Sequence, residues 1–506
     1  MDGDGDSDGR ADVPAASAEA EISGAVVPSA AVDLLSDLPD DLLVYILLHL
    51  DPVDAAEAAR TCVLSRRWRD LWVQVPSLVF LCLNPVGCAR VHAALAARAR
   101  AIAAPDITRL HVYYFAGHSF PPTASWLSLA PPVLSGELVF FKDWQTPIAA
   151  NELPTDIMKR TAFELPCFKK ATKIYLHLEF LTLLLPPSGA FNALTELKLE
   201  QIRFDGQFIL GDSMFPSLKR LLIDNTLGLV DLALNSSSLV WLKLSHLRGL
   251  QRINVEAHSL ELLCVVHCLR YNVQVARFSM EGLKVLRWRD RLDPILVNFS
   301  EMPHLQQLTI FEFTPYGWPG SNPNQDLFRI INHFSSIQYL QLMVSIEPDL
   351  SDTESKMEGI TSLPNIEILS LVLFSHGHVI GASVLYLLRM CTGIRELSLK
   401  LPENSEVLNT CPLNCICDQQ PNWRAGHILM KFLREAEILN FRGEGHEVDL
   451  LKLLLRAAPG LRRLRITCHR YFAAWERLSE YSQRLAGHHS KLRSVEVSQV
   501  MTPLQP

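Results

Sequence analysis

The sequence predicts an α/β chain: three short helices at the front, then a solenoid of short strands lined up as a parallel concave sheet. Two patterns carry this. Residues 34–72 contain a helix-forming run with apolar side chains nearly all round, and a triplet of apolar residues at i, i+3 and i+5 recurs through the rest of the chain. A surface helix normally shows one apolar stripe. Here Leu42, Ile46 and Leu50 share one line, Leu43 and Leu47 the next, Val44 and Leu48 a third. About forty residues cannot bury that much apolar surface unaided. A neighbouring domain or another protein must cover the excess, since an exposed patch of this kind marks an interface.

Local signals divide the stretch into three helices. Ser36 or Asp37 can cap the first, with Pro39 in its first turn. Asp51-Pro52-Val53-Asp54 starts a second and Ser65 caps a third. The pattern Leu38-Pro39, Asp40-Asp41, the apolar run to Leu50, then Arg60, Cys62, Val63, Ser65, Arg66-Arg67, Trp68 and Trp72 resembles an F-box. The resemblance implies docking on the adaptor subunit of an SCF-type cullin–RING ubiquitin ligase, with Leu38, Pro39, Leu42, Ile46 and Leu50 as the expected contact residues. The competing reading of the same residues is a buried helical hairpin with no partner.

The apolar triplet starts at Ile107-Leu110-Val112 and reappears at Ala171-Ile174-Leu176. It then runs from Leu194-Leu197-Leu199 to Leu305-Leu308-Ile310 at intervals of 24, 21, 21, 23 and 22 residues. Intervals of 32, 29 and 28 lead on to Ile394-Leu397-Leu399, and the series closes at Ala436-Leu439-Phe441, Leu461-Leu464-Ile466 and Leu492-Val495-Val497. This is similar to the leucine-rich-repeat pattern. Each unit offers a strand with one apolar face that only stacking can bury. The Asn usual three residues past the last leucine is mostly replaced, by Ile202, Thr226 and Leu247, so irregular turns are expected. Residues 113–165 fit the period poorly and read as degenerate units. The longer units leave room for convex helices and for loops at 314–326 and 347–362.

Towards the end, Cys411-Pro412, Cys415, Cys417, Pro421 and Trp423 precede LREAEILNFRGEGHEVDLLKLLLRAAPGLRRLRIT. This resembles the FBD-type ending of plant F-box/leucine-rich-repeat proteins. The resulting division is an acidic disordered tail at 1–33, an F-box at 34–80, a leucine-rich-repeat solenoid at 81–410 and FBD-like terminal repeats at 411–506.

Composition limits the partners. The net charge is −7, and residues 1–33 hold eight acids against Arg10. Removing these from the totals of 54 acids and 47 bases leaves 46 of each, so bulk charge gives no case for nucleic acid. The clustered Arg66, Arg67 and Arg69 read as a solvated face. No secretory signal and no membrane-length apolar run is seen in the sequence, and the odd count of eleven cysteines favours reduced thiols in cytoplasm or nucleus.

No phosphate loop, dinucleotide fingerprint, nucleophile elbow or H-E-x-x-H motif occurs, so neither enzyme activity nor a cofactor is expected. Cys411-x3-Cys415-x-Cys417 with His427 is the best metal candidate, but the spacing lacks a second pair and the favoured reading is loop packing with no metal. His376-Gly-His378 and His488-His489 read as exposed loop residues. Cys264 points outward from its strand, with no activating partner evident.

Between the two inward side chains of each unit one residue points to the concave face. In order these are Lys198, Leu222, Lys243, Cys264, Arg287, Thr309, Gln341, Ser370, Ser398, Asn440, Arg465 and Glu496. The middle units add aromatic, aliphatic and basic neighbours. Interface cores favour Trp, Tyr, Phe, Met and Arg. Trp241, Lys243, Arg287, Arg289, Phe311, Tyr339 and Met343 are therefore the expected contacts for a target protein. A substrate receptor of a ubiquitin ligase is the leading reading. The alternative is a repeat scaffold or small-ligand receptor whose F-box serves assembly alone.

Overall fold

The computed structural model describes residues 35–49, 61–115, 126–142, 162–315, 331–346, 363–401, 415–469 and 492–499, apart from isolated positions and short runs within them. The acidic tail, Leu50, the Asp51–Asp54 start, Cys411, the 347–362 loop, nearly all of the 314–326 loop and His488-His489 lie outside those residues.

At the front, α1 (Asp40–His49) follows Pro39, whose carbonyl accepts from the Leu42 and Leu43 amides. A 3-10 turn at Thr61–Val63 leads to α2 (Arg66–Leu71). Ser65 occupies the cap position of α2 with extended backbone, yet its side chain makes no capping hydrogen bond. Arg67 does more than face solvent. Its Nε donates to Asp40 at 2.8 Å and its Nη2 to the Leu38 carbonyl at 2.6 Å, tying α2 to the start of α1.

The first strand, Ser77–Cys82, straddles residue 80, where the sequence suggested a boundary. It pairs in parallel with Ile107–Tyr114, setting Leu78 beside Leu110 and Phe80 beside Val112. Between them α3 (Pro85–Arg100) covers the start of the sheet. Buried Arg98 near its end donates to the carbonyls of Val75 and Pro105, joining the helical module to the first units.

From there a parallel ladder runs the length of the chain. Neighbouring strands keep their inward apolar residues in register: Leu197, Leu221, Leu242, Leu263, Leu286, Leu308, Leu340, Leu369 and Leu397 form one continuous row. Every one of these side chains is buried. A second parallel ladder flanks the first between Ala162 and Phe299, and the long strand Arg220–Asn235 takes part in both. Units of 21–24 residues thus spend their return path on a short strand where helices or irregular turns were expected. Helices return with the longer units, as α4 (Gly381–Met390) and α5 (Gly445–Ala457).

The turns are more regular than the missing Asn suggested. Gln201, Asn225, His246 and His267 all adopt left-handed backbone (φ 48–53°). Each is followed by a buried side chain: Ile202, Thr226, Leu247 and Cys268. The chain bends at the left-handed residue, and the next side chain plugs the core where the repeat pattern would place an Asn.

Two registers differ from the sequence reading. Residues 113–165 contain a full member of the ladder, strand Leu134–Lys142, with Leu138 and Phe140 beside Leu110 and Val112. One extra residue before Leu138 breaks the i, i+3, i+5 spacing. The ladder shifts register there, and Gly136 packs against the Thr108 carbonyl where no Cβ could fit. In the terminal region the triplet is Leu433-Ala436-Ile438, with Glu437 on the outward row beside Ser398 and Arg465. Asn440 therefore leaves the outward row. It is buried with φ 61°, and its Nδ2 donates to the Leu401 carbonyl at 2.8 Å. Asn440→Ala should cost about 1–3 kcal/mol by removing a buried hydrogen bond. Asn440→Gly, which accepts the left-handed backbone, should lose the same bond without added strain. Urea midpoints of the two variants measure both parts.

Candidate functional site

Burial separates the helical lines of α1. Leu43 and Leu47 are buried in the core, with Trp68 and Leu71 from α2. Leu42, Tyr45 and Leu48 are 48%, 60% and 38% exposed. Pro39 is exposed, while Leu38 and Ile46 are half-buried and pack on the core. The Leu42–Ile46–Leu50 line is therefore not one face: Leu42 is open, Ile46 leans inward, and Leu50 lies outside the described residues. Sequence reasoning missed Leu35, Tyr45, Leu48, Val63 and Leu64, all exposed. Their signal was the surplus itself, since a helix apolar on all sides must leave some of them open. Tyr45 is held by its neighbour, with the His49 ring 4.3 Å away.

The outward row of the main ladder forms the second surface. Lys243, Cys264 and Arg287 are register partners on adjacent strands, and Arg289 sits two residues beyond Arg287. Among the described residues, no ion pair engages Lys243, Arg287 or Arg289. Trp241 is half-buried beneath the Arg220 guanidinium, 4.7 Å from its ring. Tyr339 and Met343 flank Gln341 on one strand, and Phe311 lies where the ladder shifts register beyond Ile310. Trp241 and Tyr339 are four strand steps apart, about 19 Å at the usual strand spacing. The expected target-binding residues thus share one face but fall into a basic group and an aromatic–aliphatic group, joined by the polar chain Thr309–Gln341–Ser370.

Charge along this row is sorted. Near the start, the Tyr175 hydroxyl donates to Glu200 and the His177 ring lies 3.7 Å from the same carboxylate, and His177 above all holds that carboxyl below its ordinary range. Burial, reinforced by Glu200, pushes the Tyr175 phenol up. Near the end, Arg465 lies between Glu437 at 2.8 Å and Glu496 at 3.3 Å. The middle is basic. Burial raises the Cys264 thiol against the opposing pull of Lys243 and Arg287, so this cysteine is not an activated nucleophile.

The metal candidate is rearranged. His427 is exposed and outside the cluster, whereas His378, expected in an exposed loop, is buried beside Cys415 and Cys417. No helix among the described residues is long and apolar enough to cross a membrane.

Comparison with known proteins agrees with the geometry. The F-box domain family model matches residues 35–80. A putative F-box/FBD/LRR-repeat protein of Arabidopsis thaliana is 25% identical over 285 residues, 53% of this chain and 54% of that protein. Another F-box/FBD/LRR-repeat protein from the same plant is 49% identical over 52 residues, 10% of this chain and 11% of its own. Arabidopsis F-box/LRR-repeat protein 13 is 53% identical over 47 residues, 9% of this chain and 10% of its own. The chain spans about half the length of the first of these relatives and about a tenth of the other two. Residues 35–80 are an F-box domain, on a mixed α/β chain with a parallel sheet that is similar to plant F-box proteins carrying leucine-rich-repeat and FBD regions.

Proposed function

We propose that this protein is a non-catalytic substrate receptor of an SCF-type ubiquitin ligase. The exposed strip Leu42–Tyr45–Leu48, with Pro39 beside it, carries the reading. It is an apolar face held rigid by the buried Leu43 and Leu47 behind it, on the domain whose family docks the adaptor. Exposed apolar patches backed by a firm core are what interfaces use. Through the adaptor the cullin scaffold would be reached, and the receptor acts by raising the local concentration of a bound target. The compartment expected for such work is cytoplasm or nucleus.

The stacked units are read as a leucine-rich-repeat solenoid whose outward row is concave. Its middle, with Lys243, Arg287 and Arg289 free of acidic partners and Trp241, Tyr339 and Met343 nearby, suits a target protein that brings carboxylates and an apolar anchor. Co-purification tests the whole reading. The intact chain should carry the adaptor and cullin through size exclusion at one copy of each. Failure of the folded intact chain to retain adaptor would overturn it.

A further inference from the structure

We propose that His378, Cys415 and Cys417 form a zinc site that fastens the 415–425 segment to the turn before α4. His378 precedes the two cysteines by 37 residues or more, yet the ligand atoms of all three lie within 4.8 Å of one another. His378 Nδ1 and Cys415 Sγ are 3.4 Å apart. Tetrahedral zinc with ordinary bond lengths sets sulfur and nitrogen ligands about 3.6 Å apart and two sulfurs about 3.8 Å apart. One edge of that tetrahedron is therefore already present, and the others need to close by at most about 1.2 Å.

Donor chemistry selects the metal. Two thiols and an imidazole, with no carboxylate in the group, suit zinc and reject calcium and magnesium. Burial suits a structural site: His378 and Cys417 are shut off from solvent, while half-buried Cys415 leaves a path for the ion. Three protein donors leave a fourth corner for water.

The local backbone serves this placement. His376 and Gly377 take consecutive left-handed conformations (φ 46° and 86°), and the His378 amide donates to the Ser375 carbonyl at 2.8 Å. That tight turn fixes the His378 ring at the mouth of α4. From the other side, the Trp423 ring lies on Gly381, so closely that a Cβ there would collide with it. Trp423 and the proposed metal would then hold the same segment at two points. The sequence singled out Cys415 and Cys417 but paired them with His427. The true third member is remote in sequence, so spacing could not identify it.

This site is independent of the receptor reading. The test is zinc content of the purified full-length chain by elemental mass spectrometry, followed by cobalt replacement. One zinc per chain is expected, and the cobalt form should show thiolate-to-metal charge transfer with tetrahedral d–d bands. Cys415→Ser and His378→Asn should each lose the bound zinc, whereas Cys268→Ser, a buried thiol in the middle units, should keep it. A wild-type chain with no more zinc than Cys415→Ser, a cobalt spectrum without thiolate bands, or a Cys415–Cys417 disulfide in the unreduced chain would each overturn the proposal. Should the variants fail to fold, the wild-type stoichiometry and cobalt spectrum still decide it.

Discussion

Glu179→Gln should lower stability by about 3–5 kcal/mol, the loss expected when one partner of a buried ion pair is removed. Lys142 ends the strand Leu134–Lys142 on the same side as Leu138 and Phe140, and its side chain is only 4% exposed. Its ammonium lies 2.6 Å from the Glu179 carboxylate, itself 14% exposed. Neutralising the acid removes the Glu179 charge from beside a nearly buried ammonium. Gln preserves the shape and accepts the left-handed backbone of residue 179 (φ 46°) about as well as Glu, so the change isolates charge. The double variant Lys142→Met/Glu179→Gln should recover most of the loss, because an apolar stem replaces the buried cation. Urea denaturation of the three proteins measures it. Equal stability of wild type and Glu179→Gln would show that the pair contributes nothing net.

That pair also shows where sequence reasoning stopped. The inward rows were legible because a stacked unit must bury its leucines, and the i, i+3, i+5 spacing states that need directly: Leu239, Leu242 and Leu244 are each fully buried. Residues 134–142 escaped because one inserted residue, accommodated at Gly136, broke the spacing without breaking the ladder. With the strand unseen, Lys142 had no inward place to occupy and Glu179 no partner. The slip at Ala436 has a related cause. Ile438, Leu439 and Phe441 are all apolar, so two registers satisfy the pattern, and only the buried, left-handed Asn440 separates them. Turn chemistry was misread where one side chain substitutes for another's role: Ile202 and Leu247 fill by packing a position expected to be held by hydrogen bonds. The exposure of the proposed interaction surfaces was only partly legible. Composition pointed to the middle units and to α1, but facing depends on what the next element covers, as the opposite fates of Leu42 and Leu43 show.

Leu42→Asp should leave folding nearly unchanged and weaken adaptor binding by at least about thirtyfold, the effect of removing an interface hot spot of 2 kcal/mol. Leu43→Asp should do the reverse in order of cause. Leu43 is fully buried, so a carboxylate there removes core packing and adds an unpaired charge, and the helical module unfolds first. The neighbouring positions therefore separate docking from folding. Circular dichroism and thermal unfolding report on the fold, and titration of purified adaptor by calorimetry reports on docking. Ile46→Asp, the natural choice from the helical line alone, would confound the two, because Ile46 is half-buried and packs on the core. Tyr45→Asp should behave like Leu42→Asp, being 60% exposed on the same strip. If both exposed variants bind adaptor as wild type does, α1 is not the docking face. The exposed Val63 and Leu64 after the helix would then be the next apolar surface to carry the contact.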